Sequence, residues 1–289
     1  MHPRLEPVRR VIGAYSPARL ALKGAADRAV EAAADAAGRT RAIDALAASL
    51  PPLDVLVVGV YLRTPKRFPD SVAELARSRH RVRIRLGTMA SQPLPELAPV
   101  TTDAGLTGGK FANANALIEG DGGPPPRWIV VIDHDARLPE GWLDRFLGLA
   151  EAFDLSIAQP ALNLRSFYSH PLTRRRPWAV ARETRFVEIG PVTALRADAA
   201  AHLLPFAPDA GMGWGLDLHW PALAVRHGLR MGIVDAAAVG HEDEPFGASY
   251  SAVAASAEAD AWLASRESLS RADAIRTLAT HRRVPRPTS

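Results

Sequence analysis

Short apolar runs and helical segments alternate along the middle of the chain. The run LDVLVVGVYL at 53–62 is β-branched and apolar at almost every position, which is typical of a strand inside a parallel sheet. SVAELARSR follows as a predicted helix with Ser71 as its expected cap, and HRVRIRLGT then alternates like a second strand. The pattern therefore begins as strand, helix, strand.

The alternation continues to about residue 241. Helices are predicted in GGKFANANALIEG, GWLDRFLGLAEAF and DLHWPALAVRHG, and strands in RWIVVIDHD, LSIAQPAL, FVEIGPVTALR and RMGIVDAAAVGH. The Arg-rich stretch SFYSHPLTRRRPWAVARETR is predicted to leave the sheet. Strands that alternate with helices predict an α/β fold, with a mostly parallel sheet flanked by helices.

The two ends of the chain have a different pattern. Residues 16–49 are rich in Ala, Leu, Arg and Glu and predict one or two helices, which Pro51 and Pro52 end. From about Ser251 the chain is polar and predicted helical, and its last residues, HRRVPRPTS, are predicted to be disordered. We therefore expect a helical N-terminal extension (1–50), a sheet domain (51–250) and a helical C-terminal tail (251–289).

Composition limits the chemistry and the partners. The 289 residues include no cysteine, so any metal must be held by oxygen or imidazole ligands. The sequence has no apolar run of the roughly 18 to 20 residues that a membrane span needs and no signal-peptide core, which predicts a cytoplasmic protein. The net charge of +4 comes almost wholly from arginine and favours anionic partners, including the inner face of a membrane as a peripheral contact. It is weak evidence for nucleic-acid binding, and no nucleic-acid partner is expected.

An apolar strand that ends in Asp-His-Asp is the main chemical signal. In an extended strand the side chains of Asp133 and Asp135 point to the same side, and open α/β sheets bind ligands at the carboxyl ends of their strands. Two adjacent carboxylates repel each other unless a cation lies between them, so this D-x-D motif predicts a Mn²⁺ or Mg²⁺ site that bridges to a phosphate. The alternative is that both acids belong to a loop that caps the next helix.

Two metal-phosphate chemistries use such a pair. Phosphatases of the haloacid dehalogenase type have D-x-D-x-[TV] after their first strand, whereas this motif lies mid-chain and has Arg137 in place of Thr or Val. The other chemistry is glycosyl transfer from a nucleotide-diphosphate sugar, in which the cation neutralises the departing diphosphate.

Further motifs lie on both sides of the Asp pair. KFANAN at 110–115 precedes it, and GMGWGLDLHWPALAVRHGLRMG and then His241 follow it. In this order the motifs resemble those of GT-A glycosyltransferases, especially the large inverting family 2 typified by many bacterial polysaccharide enzymes. The resemblance covers roughly residues 54–245 and implies a Rossmann-like GT-A sheet that transfers a hexose from a nucleotide-diphosphate donor to a hydroxyl acceptor.

The resemblance and the residue chemistry together give each candidate a role. An inverting transfer needs a base for the acceptor hydroxyl, and Asp217, expected at the start of a helix because Pro221 belongs in its first turn, is the candidate. Its alternative is a plain helix cap. The other candidates are Trp214 and Gly215 for the acceptor, Lys110, Asn113, Asn115 and Asp133 for the donor, and Asp133, Asp135 and His241 for the metal. The alternatives are a helix cap region for the Lys and the two Asn residues and a core position for Trp214.

Two of these assignments are open in the sequence. The second strand ends in IRLGTMAS instead of the acidic motif that reads the nucleotide in the family, so Tyr61 and Arg63 are proposed for that task. His241 is a metal ligand or an ordinary surface or core residue, with Glu242 and Asp243 as substitutes.

Three functions compete on this sequence. The first is a metal-dependent, inverting glycosyltransferase. The second is a metal-dependent phosphatase or nucleotidyltransferase that uses the same Asp pair. The third is a non-catalytic, basic protein that binds nucleic acid or an anionic surface, for which binding would depend steeply on salt and not on metal.

Overall fold

The computed structural model describes residues 16–62, 67–211, 213–242 and 251–286. Within these residues the strands are β1 Asp54–Tyr61, β2 Arg81–Thr88, β3 Thr101–Ala104, β4 Trp128–Asp133, β5 Ala136–Arg137, β6 Ile157–Leu162, β7 Ala181–Thr184, β8 Val192–Arg196, β9 Met231–His241 and β10 Thr277–His281. The α-helices are α1 Pro17–Ala36, α2 Arg39–Ser49, α3 Phe68–Leu75, α4 Lys110–Glu119, α5 Trp142–Ala152, α6 Ala197–Leu203, α7 Leu216–His227, α8 Ala252–Leu263 and α9 Arg271–Ala274.

The strands form one sheet in the order β10-β7-β9-β6-β8-β4-β1-β2-β3, and β5 pairs with the end of β9. β1 is parallel to both of its neighbours, β2 and β4, and β6 is parallel to β9, while β7 and β8 run in the opposite direction. The carboxyl ends of β1, β4, β6 and β9 therefore lie at the same edge of a mostly parallel sheet, where α/β proteins bind ligands.

Two apolar layers cover the sheet, and the alternation of β4 shows how the sequence builds them. Trp128, Val130 and Ile132 point into the layer formed with α2, α3 and α5. Ile129 and Val131 point into the opposite layer, which contains α4, α6, α7 and α8. A strand buried on both faces has apolar residues at every position, which explains the unbroken apolar runs of the sequence.

The predicted α/β fold is confirmed, with local corrections. Helix α3 begins at Phe68, so Ser71 is inside the helix and does not cap it; its hydroxyl donates to the Ala136 carbonyl at 2.8 Å. The Arg-rich segment that was expected to leave the sheet returns as β7 at its end. In FVEIGPVTALR, the strand covers only Val192–Arg196.

The termini also differ from the predicted pattern. The C-terminal part, predicted to be helical, contains β10, which pairs with β7 at the edge of the sheet and includes His281 of the stretch predicted to be disordered. Helix α2 buries Ile43, Leu46 and Ala47. In the described part of the chain, no helix is both long and apolar enough to cross a membrane.

Candidate functional site

Asp133 lies at the carboxyl end of the central strand β4, where Lys110 neutralises it. Lys110 is the first residue of α4, and its Nζ is 2.7 Å from Asp133 Oδ1. The same ammonium donates to the Ile189 carbonyl at 2.7 Å, and the Asp133 amide donates to the Pro191 carbonyl at 2.7 Å. Strand β4, helix α4 and the segment before β8 therefore meet at this carboxylate.

Gly190 lies against this ion pair. A Cβ atom at this position would overlap the Asp133 carboxylate and lie 3.1 Å from Lys110 Nζ. The absence of a side chain at Gly190 therefore permits the Lys110–Asp133 contact.

The pair formed by Asp135 and His241 lies next along the chain from Asp133. Strand β4 ends at Asp133, and residues 134 and 135 form a turn before β5, which pairs with β9 so that Ala136 is opposite His241. Asp135 Oδ2 is 2.8 Å from His241 Nε2, and the other ring nitrogen is 3.1 Å from the Phe167 carbonyl. The strand alternation that was expected to align the two Asp side chains ends at Asp133, and each carboxylate has its own cationic partner.

The Asp135–His241 pair is charged. Burial alone would lower the pKa of His241, but the hydrogen bond that His241 donates to Asp135 and the charge of Asp135 outweigh burial and raise that pKa to about 9. Burial likewise acts to raise the pKa of Asp135, while the bond to His241 holds it below its ordinary value. A metal at His241 would compete with this proton, because only the neutral imidazole is a ligand.

Glu188 is a further carboxylate near His241. Its Oε1 accepts from the Ser169 amide at 3.2 Å and from the Ser169 hydroxyl, and its Oε2 is buried without a hydrogen-bond partner among the described residues. Burial raises the pKa of Glu188, and the hydrogen bond from the Ser169 hydroxyl and the charge of His241 partly oppose the shift.

The glycine loop before α7 packs on the same region from the other side. Gly213 and Gly215 have φ of +85° and +97°, a conformation that side chains with a Cβ rarely adopt. A Cβ at Gly213 would overlap the Phe111 ring and lie 2.9 Å from Ile189 Cδ1. Ile189 therefore contacts the loop, while its carbonyl binds Lys110.

Asp217 lies in the first turn of α7, directly after this loop. Its Oδ1 accepts the Gly215 amide at 3.2 Å. Burial raises the pKa of Asp217 above its ordinary value, and the charge of Arg271 opposes the shift. A carboxylate with a raised pKa is suited to accept a proton.

Helix α7 begins at Leu216, close to the predicted start. Gly215 precedes it with no side-chain cap. Pro221 falls just after the first turn instead of within it. Trp214 of the loop is half-buried, whereas Trp220 of the helix is a core residue.

The residues proposed for the donor are placed differently from one another. Asn113 donates to the Gly108 carbonyl at 2.8 Å, and Asn115 donates to the Phe206 carbonyl at 2.7 Å and accepts its amide at 2.8 Å. Both amides therefore hold loops beside α4.

Tyr61 is fully buried and its hydroxyl contacts Thr101 Oγ1 at 3.0 Å and the Leu94 amide at 3.1 Å. Arg63 and Asp243 lie outside the described residues.

Of the three metal ligands predicted from the sequence, Asp135 and His241 contact each other, whereas Asp133 pairs with Lys110. Among the residues that the structure describes, no group of three or more His, Asp or Glu side chains is arranged to hold a metal ion.

Sequence reasoning missed the segment Glu188–Ile189–Gly190–Pro191. The pattern of FVEIGPVTALR predicts a strand there, yet the segment lies between the Lys110–Asp133 pair and the glycine loop. Its Gly-Pro dipeptide is a turn signal that argues against an uninterrupted strand and could have identified it.

Comparison with known proteins adds little to this geometry. No family profile matches the chain, and no characterised protein matches it in sequence. Among solved structures, the chain is similar to residues 1–349 of TarS from S. aureus, with a TM-score of 0.44 and 10% identity over 65% of this chain and 59% of that one. This chain thus spans less than two thirds of the TarS fragment, and a likeness this distant carries no argument about activity.

Proposed function

We propose that this protein is a metal-dependent glycosyltransferase that moves a sugar from a nucleotide-diphosphate donor to a hydroxyl acceptor with inversion. The observation that carries the proposal is the position of segment 188–191. It contacts the Lys110–Asp133 pair on one side and, through Ile189, the glycine loop that leads to Asp217 on the other. A group that neutralises phosphate and a group that accepts a proton therefore belong to one continuous region, as the transfer requires.

Asp217 is the proposed base. An inverting transfer removes the proton of the acceptor hydroxyl while its oxygen attacks the anomeric carbon from the side opposite the leaving diphosphate. The half-buried carboxylate of Asp217 has a raised pKa, which makes it a better proton acceptor than an exposed Asp. The Trp214 ring and the Gly215 backbone are the neighbouring groups that we assign to the acceptor.

Lys110 is the proposed cation for the donor. Its ammonium already neutralises the Asp133 carboxylate and lies at the start of α4, a helix without a side-chain cap at Gly109. The positive charge of Lys110 and the amides of a helix start, which have no partner within the helix, both favour a phosphate group. We propose that Lys110 contacts the diphosphate when the donor binds.

A divalent cation would be held by Asp135 and His241, with Asp133 as the third ligand. The first two are ligands of types that Mn²⁺ accepts, a carboxylate oxygen and an imidazole nitrogen 2.8 Å apart, and the cation would replace the proton that His241 shares with Asp135. Asp133 would have to share its carboxylate with Lys110. When bound, the cation would supply charge neutralisation to the departing diphosphate.

Thermal unfolding and sugar transfer together test the proposal. UDP or GDP should raise the unfolding temperature in the presence of Mn²⁺ and much less in its absence, because ligands stabilise the fold in proportion to occupancy. Asp135→Ala should lose both the metal-linked shift and the transfer of sugar from UDP or GDP donors. Asp70→Ala, which changes an exposed Asp in the first turn of α3, is the matched control and should keep both.

Other outcomes would favour the competing functions. Release of phosphate from substrates that contain no sugar would indicate a phosphatase or nucleotidyltransferase. Binding of polyanions that weakens steeply with salt and ignores Mn²⁺ would indicate a basic binding protein.

A further inference from the structure

A cavity of about 380 Å³ lies beside Asp135, and neither Lys110 nor Asp217 is among its described lining residues. Its wall includes Leu20 of α1 and three arginines from separate parts of the chain, together with two carboxylates. The arginines are Arg67, Arg137 and Arg165, and the carboxylates are Asp135 and Glu242. A volume of this size is enough for a small polar ligand.

The guanidinium groups of this cavity have unused hydrogen-bonding capacity. Within the described residues, the side chains of Arg67 and Arg137 have no ion pair or hydrogen bond, and both residues are exposed. Arg165 approaches Glu242 at 3.5 Å, and its buried Nε has no hydrogen-bond partner in the same described ranges. Asp135 pairs with His241, and no ion pair between Asp135 and these arginines is present in the described ranges.

Helix α1 holds Arg165 in place. Leu20, Gly24 and Asp27 are spaced four and three residues apart and therefore lie on one face of the helix. Asp27 accepts the amides of Leu164 and Arg165 at 3.0 and 3.3 Å. The Arg165 side chain passes Gly24 so closely that a Cβ there would lie 2.7 Å from its Cδ.

We propose that this cavity binds a phosphoryl group through Arg67, Arg137 and Arg165, and that α1 positions Arg165 for the task. Guanidinium groups match phosphate oxygens in geometry and charge and bind them with two parallel hydrogen bonds. Among the described residues, the donors of Arg67 and Arg137 and the Nε of Arg165 have no partner, and these are the groups that such an anion would satisfy.

The source of the phosphoryl group rests on the proposed function, whereas its binding does not. In a transferase of this kind, the group belongs either to the donor diphosphate or to a phosphorylated acceptor. Both sources present the same chemistry to the three arginines.

Calorimetry on the full chain tests the proposal, with the two phosphate probes that are not nucleotides measured without divalent metal and UDP measured with Mn²⁺. The probes are inorganic pyrophosphate, glucose 1-phosphate and UDP. Arg137→Ala should weaken pyrophosphate binding about 10- to 100-fold, as expected for the loss of a charge-assisted hydrogen-bonding partner. The control, Arg77→Ala, removes an exposed arginine that pairs with Glu74 outside the cavity and should bind like the wild type.

Gly24→Ala tests the role of α1 without removing a charge. Alanine is a better helix former than glycine, so loss of binding would not arise from a weaker helix. The new methyl group should displace the Arg165 side chain and weaken pyrophosphate binding while thermal unfolding stays cooperative. If Gly24→Ala binds like the wild type, α1 does not position Arg165.

The probes separate the two sources. If Arg137→Ala weakens UDP as well as pyrophosphate, the donor supplies the group; if it weakens pyrophosphate and glucose 1-phosphate but not UDP, the acceptor does. The proposal is overturned if wild-type protein binds none of the probes or if Arg137→Ala binds them all unchanged. If Arg137→Ala loses pyrophosphate binding but the wild-type protein transfers no sugar, this inference stands and the proposed function is removed. If the wild-type protein transfers sugar but Arg137→Ala binds the probes unchanged, the proposed function stands and this inference is removed.

Discussion

At the scale of single residues, Asp217 combines a proposed chemical role with an unfavourable environment. Its pKa is raised by burial, and the group must be ionised to accept a proton. The rate should therefore rise with pH through the raised pKa, so that the acidic limb of kcat/KM lies above the pKa of an ordinary Asp. Asp217→Asn should lower kcat by about 10²- to 10⁴-fold, as expected for loss of a general base.

The same variant distinguishes a base from a structural residue. A carboxyl with a raised pKa destabilises the fold as the pH rises above its ordinary value, because the folded state holds the proton more tightly than the unfolded state. Asp217→Asn removes this charge and should leave the free energy of unfolding unchanged or higher at neutral pH. If the variant unfolds more easily but transfers sugar at the normal rate, Asp217 is only a cap.

Gly213 and Gly228 form a matched pair of residues with positive φ, +85° and +65°. Alanine at either position should destabilise the fold by about 1–2 kcal/mol, because its Cβ disfavours the left-handed conformation. In the part of the chain that the structure describes, nothing lies within 4 Å of a Cβ at Gly228, whereas a Cβ at Gly213 meets the Phe111 ring. Phe111 packs edge-on against Phe206 with ring centroids 5.0 Å apart and has little room to move.

Urea unfolding of the two alanine variants should therefore give different results. Gly213→Ala should lose a further 1–3 kcal/mol or so from overpacking, and the loop before Asp217 should shift. Equal losses in both variants would mean that the loop relaxes freely around Phe111.

Sequence reasoning at this scale named most of the residues that meet, but not their partners. Lys110, Asp133, Asp135 and His241 were all candidates from their motifs. Asp133 contacts Lys110, which lies 23 residues earlier in the chain (133 − 110). Asp135 contacts His241, which lies 106 residues later (241 − 135). Such long-range pairing is fixed by sheet topology, which a local pattern does not contain.

At the scale of secondary structure, length and apolar content decided which elements could be predicted. β1, β2, β4 and β9 are long and apolar or alternating, and each was predicted close to its observed position. β7 and β10 are short and contain Arg, Glu and His, so their sequences resemble loops. Pairing with β9 and with one another makes them strands, which tertiary context alone provides.

A buried ion pair joins two of these strands. Arg182 of β7 and Asp235 of β9 are almost fully buried and share two hydrogen bonds of 2.7 and 2.9 Å. Arg182 also donates to the Leu172 carbonyl at 2.7 Å and the Arg174 carbonyl at 3.0 Å. The arginine thus anchors the Arg-rich segment to the sheet.

Removal of one partner from this pair should be costly. Arg182→Leu should destabilise the protein by about 3–5 kcal/mol in urea unfolding, because Asp235 would remain buried without its cation. Arg182→Leu combined with Asp235→Leu should recover part of the loss, since neither charge then remains. The recovery should be incomplete because two carbonyls also lose a donor. A single variant within about 1 kcal/mol of the wild type would contradict this account.

At the scale of the whole molecule, α2 belongs to the core of the sheet domain. Gly148 of α5 faces Ala47 of α2 so closely that a Cβ there would lie 3.0 Å from the Ala47 Cα. Arg145 of α5 binds Asp44 of α2 with Nε–Oδ1 at 2.6 Å. Composition marked residues 1–50 as an extension because alanine-rich helices with few large apolar residues give no strong sign of a buried face.

Two leucines of the helical pair test whether α2 is integral. Leu46 of α2 is 4% exposed and Leu22 of α1 is 72% exposed. Leu46→Ala should cost about 2–5 kcal/mol, because it leaves a cavity between the helix and the sheet. Leu22→Ala has nearly the same helix propensity change and should stay within about 0.5 kcal/mol of the wild type. If both variants unfold at the wild-type urea concentration, α2 contributes little to the core. If only Leu46→Ala is destabilised, α2 unfolds together with the sheet. Helix α1 then adjoins a helix that belongs to the core, and this arrangement supports its contact with Arg165.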